Sequence, residues 1–289
     1  MSIRARRTTT PAAGATMSAF HARHRAAIAC ALLCLAVGTA NAGRSCVPTT
    51  PKASTIAAGM TLAERTSQAL DASGARVVVL ARAGQDLTKY GLRYSHLGFA
   101  YRSAEGPWRV LHKLNQCGAA TAALYRQGLG EFFLDDLWRH EAAWLVPTDE
   151  MQAQLMAVLA SPERLRRLHT APYSVVSYAW GRKYQQSNQW AIETLAGAVE
   201  PAVQDRRQAQ AWLQLRGYEP TTLRLGPLER LGGRVGSANI AFDDHPGEKR
   251  FTDRIETVTV DSVFAWMTTQ LQARGPERLT LDELPIAAK

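Results

Sequence analysis

The alternation of apolar and polar positions places the first elements. Residues 76–82 form a β-rich apolar run that reads as a central strand. Residues 94–102 alternate: Leu97, Phe99 and Tyr101 point one way, His96, Gly98 and Ala100 the other. Turn residues occupy 103–107. Residues 108–114 then return as a second strand, so the two predict an antiparallel hairpin with position 102 near 108. Helical spacing marks 61–72, which stops at Gly74, and 148–160, capped by Thr148 or Asp149. A further helix follows from Ser161, with Pro162 in its first turn. Residues 187–199, 205–216 and 261–274 are helical, the last two stopped by Gly217 and Gly275. Short strands are predicted at 144–146, 221–225 and 254–260. Residues 226–250 give no clear pattern. The sum is an α+β domain with a central antiparallel sheet packed against helices.

The N-terminus has a different pattern. Residues 26–37 are an uninterrupted apolar run, shorter than the ~20 residues a spanning helix needs. Arg23 and Arg25 precede it and Ala40-Asn41-Ala42 follows, the arrangement of a secretory signal peptide. Cleavage is expected before Gly43, with Met17 an alternative start. The organisation predicted is a signal peptide at 1–42, one domain at 43–275 and a tail at 276–289. It implies a secreted or periplasmic protein with no stable membrane span after cleavage. An uncleaved anchor is the competing reading.

Charge sharpens this division. The 289 residues carry a formal +9, from 34 Lys and Arg against 25 Asp and Glu. Five arginines and no acid fall in 1–42, which leaves 29 basic against 25 acidic residues in the remainder. That balance predicts no nucleic-acid partner. A chain 46% hydrophobic and 20% charged is neither disordered nor collagen-like.

Of four cysteines, Cys46 and Cys117 remain after cleavage. In an oxidising compartment they are expected to form a disulfide, whose loop entropy is worth ~4 kcal/mol. The alternative is that Cys117 is a free nucleophile. No Cys/His cluster has zinc-ligand spacing, so neither metal nor cofactor is predicted.

Three residues suggest chemistry. His96 lies mid-strand beside Gly98 and Ala100, whose small side chains let another element approach. In the predicted register His112 is its diagonal neighbour, ~7–8 Å away at Cα. Ser187 opens a helix, where the plain reading is an N-cap. The functional reading is a nucleophile, which for serine needs a true general base because a helix dipole cannot ionise a hydroxyl. For both histidines the plain reading is a hydrogen-bonded strand residue. Asp243, Asp244 and His245 form a polar cluster, either a turn or a partial metal site. Phe132, Phe133, Trp138 and Trp144 read as core or cleft lining.

The strand at 76–82, Tyr94–Ala100 with its Ser-His-Leu-Gly centre, and 108–112 resemble the circularly permuted branch of the NlpC-type, papain-like superfamily. The whole mature chain resembles the bacterial domain of unknown function 2145 family. The segments that carry this are NQCG at 115–118, YQQSNQW at 184–190, ANIAFDDHP at 238–246 and VTVDSVF at 258–264. The resemblance implies a papain-like fold, with His96 as base, His112 as orienting residue and Ser187 in the place of the catalytic cysteine.

That departure leaves three readings open: a serine-variant hydrolase, a catalytically silent relative that keeps the cleft for binding, or Cys117 as the thiol. The first predicts a cell-envelope amidase, peptidase or esterase, with peptidoglycan, lipid or protein as substrate. Backbone N–H groups at the Ser187 helix start are the expected oxyanion site. The second predicts a periplasmic binding or assembly module on the same fold.

Overall fold

The computed structural model describes residues 50–102, 106–135 and 137–281. The expected signal peptide, Met17 and Cys46 lie outside them. In chain order the elements are α1 (Ala53–Ala72), β1 (Val77–Arg82), β2 (His96–Arg102), β3 (Trp108–Asn115) and β4 (Ala122–Gly128). Then come α2 (Leu129–Leu134), β5 (Glu141–Val146), α3 (Asp149–Leu159), α4 (Pro162–Arg167) and α5 (Ser187–Val199). The chain continues through α6 (Arg206–Leu215), β6 (Thr221–Arg224), α7 (Pro227–Gly236) and α8 (Gly247–Arg250). It ends with β7 (Arg254–Thr257), α9 (Val260–Gln270) and β8 (Arg274–Thr280).

Six strands form one antiparallel sheet in the order β4-β3-β2-β1-β5-β8, and β6 pairs with β7 separately. Both β1 and β5 are buried along their whole length. Their alternate side chains therefore feed two cores. Val78, Leu80, Ala100 and Val110 pack with Leu62 and Leu70 of α1 and Phe132 and Phe133 of α2. Val79, Leu97, Phe99 and Leu111 pack on the opposite face with Leu155 of α3, Trp190 and Leu195 of α5 and Val263 of α9. A strand covered on both faces has no polar side, which is why residues 76–82 read as a continuous apolar run.

The hairpin register is as predicted, with Phe99 opposite Leu111 and Arg102 opposite Trp108. Several boundaries shift. Thr148 caps α3 by accepting from Met151 N at 3.4 Å, and Ser161 caps α4 by accepting from Arg164 N at 3.3 Å. The helix expected to run to Arg274 ends at Gln270, and β8 occupies the start of the segment expected to be a tail. Its Arg274, Glu277 and Arg278 hide the strand from a hydropathy reading, as suits an exposed edge strand. Gly275 serves this strand rather than a helix end. Its φ is +113°, and a Cβ there would meet Trp144 O at 2.9 Å, so only glycine fits beside the irregularity at Trp144–Val146 in the β5–β8 ladder.

Candidate active site

Ser187, His96 and His112 come from three elements and meet at one end of the sheet. The start of α5 is built so that its serine is not the cap. Gln186 takes that place, and its side chain accepts from Asn188 N at 3.0 Å. The Ser187 hydroxyl stays available and lies 3.1 Å from His96 Nδ1. His96 opens β2, and its other nitrogen, Nε2, is 2.8 Å from His112 Nδ1. His112 Nε2 in turn is 2.7 Å from Gln127 Oε1 of β4.

This chain of contacts has one consistent proton order. The Gln127 oxygen accepts, so His112 Nε2 carries a proton and neutral His112 offers its Nδ1 lone pair. His96 Nε2–H donates to that lone pair. His96 Nδ1 is then the bare nitrogen, and the Ser187 hydroxyl donates to it. The geometry orients His96 as an acceptor for the serine proton.

Two devices hold the distances. Gly98 sits between the histidines on the β2 face; a Cβ there would lie 3.0 Å from His112 Cβ and 2.6 Å from Val110 Cγ1. Asn188 clamps α5 to β2: its Oδ1 accepts from Leu97 N at 2.9 Å and its Nδ2 donates to Ser95 O at 3.3 Å. Phe132 of α2 closes the other side, 5.9 Å from the His96 ring and 5.2 Å from the His112 ring.

The site opens into a cavity of about 590 Å³ lined by Ser187, His96, Arg82, Tyr173, Trp138 and Asp135 among others. The family described as an uncharacterized protein conserved in bacteria, domain of unknown function 2145, matches residues 69–267. The chain belongs to this family. Comparison with curated proteins and with solved structures gives no match. The matched segment contains all four members of the Ser187–His96–His112–Gln127 chain.

Electrostatics in this family member keep the imidazoles neutral. Burial pushes His96 well below its ordinary value, and the charge of Arg82 and the neighbouring His112 push the same way. Burial and Arg82 lower His112 to about 4. Arg82 is 4% exposed at the end of β1. Its guanidinium lies 4.6 Å from the Phe132 ring centre and pairs with Asp135 while donating to Phe132 O. Tyr173 meets the Ser187 side chain, and burial raises its hydroxyl to about 12, so it stays an O–H donor.

A second buried network supports the loop that leads into Ser187. Arg206 of α6 donates to Glu193 Oε2 at 2.7 Å and to the carbonyls of Gly181, Arg182 and Tyr184. Gln185 Nε2 donates to Leu168 O at 2.8 Å, and Lys113 Nζ donates to Gln185 Oε1 at 2.8 Å and to Thr170 O at 2.6 Å.

The other sequence candidates fall elsewhere. Asp244 Oδ1 is 3.0 Å from His245 Nδ1, and its Oδ2 accepts from Tyr178 N at 2.8 Å, while Asp243 pairs with Lys183. The cluster pins its loop to the 178–183 turn, and none of the three lines the cavity. Among the described residues no group of three or more His, Cys, Asp or Glu could hold a metal ion. Cys117 is disulfide-bonded, so it does not act as the alternative thiol. The expected partner Cys46 lies outside the described residues. Of the aromatic residues, Phe132 and Phe133 are core and Trp138 is 43% exposed at the cavity.

Arg82, Tyr173 and Gln127 were not predicted. Arg82 left a signal, a charge at the end of an otherwise apolar strand. Gln127 lies on a strand whose half-exposed pattern gave none, and Tyr173 lies in a loop.

Proposed function

We propose that the protein is an exported acyl hydrolase of the cell envelope, cleaving ester or amide bonds with Ser187 as nucleophile. Its site has a papain-like arrangement similar to the circularly permuted NlpC-type enzymes, with serine in the cysteine's place. The observation that carries the reading is the 3.1 Å contact from Ser187 Oγ to His96 Nδ1, continued at 2.8 Å from His96 Nε2 to His112. Such a nucleophile–base–orienter order is what covalent acyl transfer requires.

In this mechanism Ser187 Oγ attacks the substrate carbonyl carbon and its proton passes to His96 Nδ1. His112 accepts the hydrogen bond from His96 Nε2 and holds the ring in the productive tautomer; it is a positioning residue. The Asn188 N–H is engaged by Gln186, so the oxyanion is assigned to the Ser187 N–H and the Tyr173 hydroxyl. His96 then protonates the leaving alkoxide or amine as the acyl bond breaks. Water repeats the sequence on the acyl-enzyme and restores Ser187.

A second reading is a binding module that keeps the cleft without turnover. It is favoured by the same burial and Arg82 charge that depress His96, because a depressed imidazole is a weaker base for a serine proton.

Ester and amide substrates assayed with wild type, Ser187→Ala and His96→Ala separate the two. Hydrolysis is expected to fall about 10³-fold or more in each variant. Its acid limb should lie below the ordinary histidine value of 6.5, since His96 must be unprotonated to act and burial depresses it. Activity that survives both substitutions removes Ser187 and His96 from the reaction. A wild type that binds substrate analogues without turnover selects the binding module.

A further inference from the structure

The β6–β7 ribbon places Arg224 directly opposite Arg254. Both are exposed, and among the described residues neither makes an ion pair. Like charges directly opposite in a ladder repel each other, and an anion placed between them relieves the repulsion. Large apolar side chains stand out of the same end of the ribbon. Four residues beyond Arg224, α7 exposes Leu228 at 83% and, one turn on, Leu231 at 60%. Three residues before Arg254, Phe251 is 83% exposed at the end of α8, with the Arg250 guanidinium 5.6 Å from its ring centre.

The two sides are tied together. Leu225 N donates to Asp253 O at 2.7 Å, and Arg230 of α7 donates to Arg250 O. Of the acids of this region, Glu229 pairs with Lys89 and Glu256 with Lys249, while Asp253 and Glu248 are exposed and make no ion pair among the described residues. Leucines at i and i+3 beside phenylalanine and arginines have the composition of an interfacial membrane anchor.

We propose that Arg224, Arg254, Arg250, Leu228, Leu231 and Phe251 form a docking surface for an anionic lipid bilayer. The apolar side chains enter the headgroup boundary and the arginines contact lipid phosphates. Lys89 pairs α7 with the turn that follows the cavity-lining residues Gln85 and Asp86, so docking holds the cavity beside the membrane. The inference does not depend on catalysis.

The test is sedimentation of the full chain with vesicles of phosphatidylglycerol mixed into phosphatidylcholine, and of phosphatidylcholine alone. Every variant keeps the same N-terminal apolar run, so differences between variants report this surface. Wild type is expected to bind the anionic vesicles more tightly. Arg224→Gln/Arg254→Gln should lose that preference, at about fivefold per arginine. Leu228→Asp/Phe251→Asp should weaken binding to both compositions relative to wild type. Binding unchanged in both double variants overturns the proposal. So does light scattering that finds a wild-type dimer made monomeric by Leu228→Asp/Phe251→Asp, which would give the surface to a second copy of the chain.

Discussion

Gly98 shows how much of a site rests on a side chain that is missing. The residue has no chemistry, yet His112 can approach His96 only because no Cβ stands between them. Gly98→Ala puts a methyl group 3.0 Å from His112 Cβ and 2.6 Å from Val110 Cγ1. Val110 lies in the core between α2 and the sheet, so it has little room to give way and His112 must move. The expected outcome is a fall in kcat for ester hydrolysis of about 10-fold or more, with KM little changed, since positioning rather than binding is lost. An imidazole NMR signal of His112 that no longer senses His96 would confirm the cause. Unchanged kcat would show that the contact with His112 does not govern the rate. The small residue beside His96 was visible in the sequence. Gln127 was not, because a strand side chain whose partner lies on the neighbouring strand leaves no mark in local patterning.

At the scale of elements, the site is a junction between the start of β2 and the start of α5, and Asn188 is the clasp. Its amide satisfies the N–H of Leu97 in β2 and the carbonyl of Ser95 just before that strand, which fixes the helix at a set height above the sheet end. Asn188→Ala leaves the Leu97 N–H buried without its acceptor. That is expected to cost about 1–3 kcal/mol in urea unfolding and to reduce hydrolysis more than Asn188→Asp, which keeps the acceptor. Equal activity in all three proteins would deny the clasp. The helix itself was fully legible: residues 187–199 were predicted and Ser187–Val199 is observed. Its cap was not, because serine is the better capping residue by composition and only the fold shows that Gln186 takes the role. The hairpin was legible for a related reason, since its alternation and turn fix the register. Residues 226–250 were opaque because α7 is short and turns apolar residues outward, against the usual burial pattern.

For the molecule as a whole, Lys113 sets a pH signature. Its side chain is fully buried in β3, and burial, with Arg206 adding to it, lowers its pKa to about 6 from the ordinary 10.5. An unfolded chain holds that proton up to about 10.5, whereas the folded one releases it near 6. The unfolded state therefore binds more protons between these values, and stability rises with pH across that window. Below about 6 both states are protonated and this contribution is flat. Lys113→Met removes the titrating group, so the gain in denaturation midpoint from pH 6.5 to pH 9 should shrink relative to wild type. An identical gain in the variant would assign the slope to other groups.

β8 has a practical consequence for handling the protein. The family match stops at residue 267, ahead of β8, yet this strand pairs along β5, all of whose side chains are buried. A recombinant fragment trimmed to the matched segment would bare an apolar strand edge, a template for stacking with other copies. It would also cut through α1, which begins at Ala53 while the match begins at 69. The segment that the family model matches is thus smaller than the unit that folds, and expression boundaries belong outside residues 53–280.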